Sequence, residues 1–311
     1  MNLARRIQNR LKLYPKVSRV IKRNRFSYNE IEKKSIVSLL NNAEYTINTI
    51  IGFRGRPEFH ASIIESFHNA FKYYQNKHPD NKHTFCLTFV EHSRETTSRE
   101  KLQGQVNYLW TPGNIVDQYS RSFAYNFGVK YSNKAKYYLL HDLDILVKEN
   151  FFEELFNNLG SHKCMQPYGK KRVLYMSKEL SEKVLKKEVD YNTFSENTPG
   201  VSPPKILGSK GGSILVEHDL YYKIGGFDPE IFWGYATEDQ FFWEKLLIVN
   251  GDVPFADNPP IDMFHMWHPL TIASNPFLGA MNHYFKEFKT MPQIRKLKII
   301  ELQHNSFTAN S

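Results

Sequence analysis

Apolar positions along the 311-residue chain change their period several times, and each change marks a different element. Leu3, Ile7, Leu11, Tyr14, Val17 and Ile21 recur at spacings of three and four, which places them on one helical face with basic residues around the rest. Pro15 breaks this stretch into two short helices. Residues 26–45 read as a polar connector followed by a short helix. Thr46–Phe53 then reads as a strand ending at Gly52, and residues 58–77 return to helical spacing with Phe59, Ile63, Phe67, Ala70, Phe71 and Tyr74 on one face. A strand at 84–91, an apolar stretch at 106–110, a helix at 116–131 and a buried strand at 136–143 follow. Strands alternating with helices predict an α/β domain with a mostly parallel sheet, in which ligands sit at the carboxyl ends of the strands.

Two segments interrupt this order. Residues 165–210 are polar and Lys-rich and close on Thr198-Pro199-Gly200 and Pro203-Pro204, and residues 269–283 carry Pro269, Asn275, Pro276 and Gly279. Both read as functional or flexible loops. The expected organisation is an arm and connector over 1–44, one folded domain over 45–302 and a flexible tail over 303–311.

Composition changes this picture mainly at the N-terminus. Hydrophobic residues make up 41% and charged residues 23%, which excludes wholesale disorder. The formal charge is +9, and residues 1–25 hold nine basic residues and no acidic one, so the remaining 32 basic residues balance all 32 acidic ones. A neutral body excludes a general nucleic-acid-binding surface. The basic amphipathic arm reads either as a helix packed on its own domain or as a reversible anchor on an anionic membrane surface. Two distant cysteines, Cys86 and Cys164, fit a reducing compartment and leave no Cys-based zinc site. With no long apolar run and no secretory-type apolar block, the expectation is a cytoplasmic chain.

Three segments carry the candidate chemistry. In Tyr137–Leu146, an apolar strand runs into Asp142-Leu143-Asp144, and two carboxylates at a strand's end suit a hard divalent cation that carries a diphosphate. The second segment holds Gly211-Gly212, then Gly225-Gly226-Phe227-Asp228, then Trp233-Gly234-Tyr235-Ala236-Thr237-Glu238-Asp239. Its glycine pairs permit close backbone approach to a ligand or positive φ. Trp233 and Tyr235 offer flat faces for sugar rings, and Glu238 and Asp239 open a helix at its positive end. The third is Met263-Phe264-His265-Met266-Trp267-His268-Pro269, whose two imidazoles suit a transition metal such as Mn²⁺.

Phe53-Arg54-Gly55-Arg56, Asp142-Leu143-Asp144, Gly225–Asp228 and Trp233–Asp239, in this order, resemble the GT-A glycosyltransferases. The likeness is greatest to the β-1,4-galactosyltransferase group with related bacterial capsule and chondroitin-type enzymes, and it covers about residues 45–270. The resemblance implies a GT-A fold, a Rossmann-like, mostly parallel sheet flanked by helices, and a UDP-sugar donor with Mn²⁺ or Mg²⁺. By position it puts Phe53, Arg54, Arg56, Arg121 and Gly212 with the nucleotide-sugar, and Asp142 and Asp144 with the metal and diphosphate. Asp239 matches the family's catalytic base and Glu238 its acceptor- and donor-binding neighbour, with Trp233 and Tyr235 on the acceptor side. Tyr235 replaces a second Trp, and Ala236-Thr237 a Gly-Gly pair, substitutions that bear on acceptor preference. The family's metal-binding His falls here at His265 or His268.

The implied activity is metal-dependent, inverting transfer of a hexose or N-acetylhexosamine to a glycan hydroxyl, with Asp239 as base. The acceptor would be an oligosaccharide or lipid-linked glycan in bacterial surface polysaccharide (capsule or lipooligosaccharide) synthesis, with the arm on the inner face of the cell membrane. Galactose, N-acetylgalactosamine and N-acetylglucosamine remain open as the sugar. The competing reading is a non-catalytic nucleotide-sugar- or glycan-binding subunit that keeps the fold.

Overall fold

A computed structural model describes residues 34–112, 119–204, 210–232, 234, 236–269, 275 and 278–309. The basic arm lies outside the described residues. In chain order the elements begin with β1 (Ile36–Ser38), β2 (Tyr45–Phe53), α1 (His60–Lys77), β3 (Phe85–Ser93), α2 (Arg99–Leu102) and β4 (Asn107–Pro112). They continue with α3 (Arg121–Tyr131), β5 (Ala135–Asp142), β6 (Ile145–Val147), α4 (Phe151–Leu159), β7 (Cys164–Met165), β8 (Val173–Met176) and α5 (Lys178–Leu185). The remainder are β9 (Val201–Ser202), β10 (Ser213–Glu217), α6 (His218–Lys223), α7 (Glu238–Asn250), β11 (Met263–His265), α8 (Leu278–Thr290) and α9 (Gln293–Ala309).

The large sheet runs β1-β4-β3-β2-β5-β10-β7, with β4, β3, β2 and β5 parallel and the outer pairings antiparallel. Strand β2 is buried from Ile47 to Phe53, as a central parallel strand covered on both faces should be. Ile47, Ile51 and Phe53 face a core shared with α1 and α4, while Ile50 faces one shared with α3, α6 and α7. Helix α3 lies so close to the sheet that a Cβ at Gly128 would fall 2.4 Å from Ile50 Cγ2. That approach carries Arg121, in the first turn of α3, over the carboxyl end of β5.

A smaller sheet, β6-β11-β8-β9, stands beside the first, with β11 antiparallel to β6 and parallel to β8. It corrects the expected loop at 165–210: that stretch contains β8, α5 and β9, and only 205–209 lie outside the described residues. The expected connector at 26–45 likewise contains β1, an edge strand paired with β4. The second expected loop is helical from Leu278 onward, with 270–274, 276 and 277 outside the described residues. The tail expected to be flexible from Gln303 continues α9 to Ala309. Phe307 packs 5.2 Å from Tyr222, and His304 Nδ1 pairs with the Tyr222 carbonyl at 2.7 Å. No helix among the described residues is long and apolar enough to cross a membrane.

Candidate active site

Asp142 is the last residue of β5 and Asp144 lies in the turn that leads into β6. Buried His141 sets that turn: its Nε2 is 2.7 Å from the Ile145 carbonyl, and its Nδ1 is 2.9 Å from Ser213 Oγ. A carbonyl only accepts, so Nε2 carries the proton, and Nδ1 accepts from the serine hydroxyl. Burial lowers the His141 pKa and keeps the ring neutral. The turn sends the two aspartates to different partners.

Asp144 joins Arg56, His265 and His268. Its side chain is 9% exposed, with His268 Nε2 at 3.2 Å, His265 Nε2 at 3.6 Å and Arg56 Nη1 in direct contact. Burial opposes ionisation, yet His265, the hydrogen bond from His268 and Arg56 together hold the carboxyl well below the usual carboxylate range. Arg56 gets there through a sharp turn: Gly55 has φ +70° and Arg56 itself φ +57°, a conformation uncommon outside glycine. His265 ends β11, and the following Met266 N–H donates to the Asp144 carbonyl at 2.8 Å. One carboxylate oxygen and two imidazole nitrogens within 4.8 Å of one another form a donor set suited to Mn²⁺ and similar ions. Both histidines belong to this cluster, and Asp142 does not.

Asp142 is engaged from the other side. Arg121 Nη1 lies 2.8 Å from its Oδ2, and the Tyr125 hydroxyl donates to its Oδ1 at 3.0 Å. The same guanidinium reaches Glu238 Oε1 at 2.8 Å and Asp239 Oδ2 at 3.4 Å through Nη2. A cation in the first turn of a helix opposes the helix dipole, so these carboxylates compensate Arg121 rather than merely decorate it. Burial pushes the Glu238 carboxyl up to about 7, against the opposing pull of Arg121. Asp239 stays half-buried, with Oδ1 accepting the Gln240 N–H at 2.7 Å. A Cβ at Gly211 would fall 2.5 Å from Asp239 Oδ2, so that carboxylate rests directly on glycine backbone. The Gly211 carbonyl accepts from the Tyr168 hydroxyl at 2.9 Å, and the Gly212 carbonyl accepts the Asp142 N–H at 2.8 Å.

Other expectations fare differently. Phe53 is 2% exposed, and its ring packs against His60 and Phe89 at 4.8 and 5.8 Å. Strand alternation turns it into the core, whereas Arg54, next along, is exposed. In Gly225-Gly226-Phe227-Asp228 both glycines take the positive φ that the sequence allowed, +75° and +59°, and the segment is clamped between two helices. Asn126 of α3 accepts from Phe227 N at 2.8 Å, and buried Lys245 of α7 donates to Asp228 at 2.7 Å. Trp233 and Tyr235 lie outside the described residues. Sequence reading missed Tyr125, although it stands four residues after Arg121 on one helical face. It also missed Tyr168 and His141.

No protein-family model matches the sequence, and no curated protein matches it. Solved structures do. The chain is similar to GalNAc-T7, solved with UDP, GalNAc and Mn²⁺, at 12% identity and a TM-score of 0.51, over 85% of this chain and 55% of that one. It is also similar to the catalytic domain of Drosophila beta1,4-galactosyltransferase 7 in complex with xylobiose, at 13% identity and a TM-score of 0.40, over 73% and 66% of the two chains. With S. aureus TarS residues 1–349 the values are 13% and 0.48, over 86% and 73%. The overlay on GalNAc-T7 assigns a GT-A fold, and the chain spans little more than half the length of that protein.

Proposed function

We propose that this GT-A chain is a metal-dependent, inverting glycosyltransferase that moves a hexose or N-acetylhexosamine from a UDP-sugar to a glycan hydroxyl. The observation that carries the reading is the single guanidinium of Arg121, which joins Asp142 at the end of β5 to Glu238 and Asp239 at the start of α7. That bridge brings a candidate base to the end of β5, the strand whose following turn carries Asp144 of the Asp144–His265–His268 cluster.

Asp144, His265 and His268 would hold the divalent ion. When bound, it supplies positive charge against the negative charge that gathers on the departing diphosphate. Arg56 contacts the same carboxylate and adds a fixed cation at that edge. Exposed Arg54, just after β2, would meet the nucleotide, a role supported by the sequence resemblance. Asp142, held by Arg121 and Tyr125, would face the donor sugar rather than the metal.

Asp239 takes the acceptor proton. Its Oδ1 accepts the Gln240 N–H and its Oδ2 lies 3.4 Å from Arg121 Nη2, so the carboxylate is oriented at the start of α7. Direct attack by the deprotonated hydroxyl at the anomeric carbon requires no enzymic nucleophile and inverts configuration. Glu238, with its carboxyl pushed up to about 7, exchanges a proton near neutrality and suits a hydrogen bond to an acceptor hydroxyl in either form.

The acceptor is an oligosaccharide or lipid-linked glycan of a bacterial surface polysaccharide, a reading supported by the sequence resemblance. The basic arm would then hold the enzyme on the anionic inner leaflet as a peripheral protein. UDP release from a panel of UDP-hexoses with Mn²⁺ tests the activity, and liposome co-sedimentation with and without residues 2–25 tests the arm.

A further inference from the structure

Beyond the metal cluster, the small sheet presents an aromatic surface that the proposed reaction has not used. His265, Tyr175 and Ile145 are register partners across β6, β11 and β8, so their side chains lie in one row on one face. Tyr175 stacks on His265 with centroids 4.7 Å apart and planes 28° apart. Even so, 38% of Tyr175 is exposed, and Trp267, two residues past His265, is 40% exposed. Most tryptophan surface in folded proteins is covered, so a tryptophan this open beside a metal cluster is informative.

Trp267 is not a loose side chain. Its backbone N–H donates to the buried Ser181 Oγ of α5 at 2.8 Å, and Lys178 Nζ lies 5.3 Å from the ring centroid. Helix α5 therefore anchors the Trp267 backbone and sets Lys178 over its ring, while β8 brings Tyr175 onto His265. Both supports come from the chain between β7 and β10.

We propose that Tyr175 and Trp267 form a stacking subsite for a pyranose ring of the acceptor glycan, adjoining the metal cluster on the face of the small sheet. A pyranose has an apolar C–H face and a polar rim, and two partly exposed aromatic rings with a lysine beside them complement both. Arg56 contacts the Asp144 carboxylate whereas Tyr175 stacks on His265, so the two residues reach the cluster through different side chains. The proposal rests on the glycosyltransferase reading, and its test is arranged so that either can fail alone.

The experiment uses the full chain with Tyr175→Ala, Tyr175→Phe and Trp267→Ala variants. UDP and Mn²⁺ affinities are measured by calorimetry, and glycan binding on an oligosaccharide array in the presence of UDP and Mn²⁺. The expected result is that Trp267→Ala and Tyr175→Ala each weaken glycan binding about tenfold, the scale of one lost ring contact. UDP and Mn²⁺ affinities stay unchanged, and Tyr175→Phe, which keeps the ring, binds like wild type. Loss of UDP or Mn²⁺ affinity in the alanine variants assigns the rings to the donor and overturns the proposal. So does glycan binding in those variants equal to wild type, or a wild type that binds UDP and Mn²⁺ but no glycan. A wild type that binds no UDP–Mn²⁺ and releases no UDP from any donor contradicts the glycosyltransferase reading itself.

Discussion

The backbone N–H of Met266 donates to the carbonyl of Asp144 at 2.8 Å, tying the turn after β5 to the end of β11. His265 and His268 straddle that bond, so the three donor side chains are brought together by backbone pairing between β6 and β11. The backbone thus ties the turn that carries Asp144 to the strand end that carries His265.

Asp144→Asn should therefore weaken Mn²⁺ binding by at least about 100-fold, whereas Asp142→Asn should leave it nearly unchanged while abolishing transfer. Calorimetry with Mn²⁺ on the two variants separates these roles. Equal loss in both would return Asp142 to the metal.

Arg121 compensates carboxylates on two different elements. Its replacement by Gln leaves them facing one another with little solvent, a change that costs about 3 kcal/mol when a largely buried partner is removed. Thermal or urea unfolding should register that loss. A drop below about 0.5 kcal/mol, the level of a surface ion pair, would contradict the bridge.

Gly211→Ala tests how closely Asp239 rests on the backbone. The new Cβ would fall 2.5 Å from Oδ2 and displace the carboxylate, with a loss in kcat of about 100-fold for a base moved by roughly 1 Å. Circular dichroism and Mn²⁺ affinity should stay at wild-type values, since Gly211 is not part of the Asp144–His265–His268 donor set.

Glu238 predicts a pH signature. Its folded-state carboxyl is pushed up from 4.5 to about 7, so between those values the native state holds more protons than the unfolded one. Wild-type stability from this group is full below about pH 4.5 and falls as pH rises through 7. Glu238→Gln removes that fall. The variant's melting temperature minus that of wild type should increase from pH 4.5 to 7. A flat difference would place the Glu238 carboxyl near its ordinary value.

The elements most legible in sequence were those whose pattern is local. The run through Thr46–Phe53, the stripe of α1 and the apolar strand before Asp142 each announce themselves within one window. The small sheet was illegible because its strands are two to four residues long and pair across large separations, such as Tyr175 with His265. For the same reason the stretch carrying β8 and α5 read as a loop. At the site, Asp142 and Asp144 were visible, but their divergence was not, because it depends on His141 closing the turn onto Ile145. The burial of Phe53 was not legible in its motif, which gives residue order and not the face of the strand. Tyr168 has no local signal, since its partner Gly211 lies 43 residues away.

The central claim is that Asp239 acts as base in metal-dependent transfer from a UDP-sugar. UDP formation by purified full-length chain with Mn²⁺, a panel of UDP-hexoses and a panel of oligosaccharide acceptors tests it most directly, with Asp239→Asn in parallel. The account predicts acceptor-stimulated UDP release by wild type, its loss on chelation, and at least a 100-fold lower rate for Asp239→Asn at unchanged UDP affinity. Turnover by Asp239→Asn equal to wild type, or no UDP release from any donor, would contradict it.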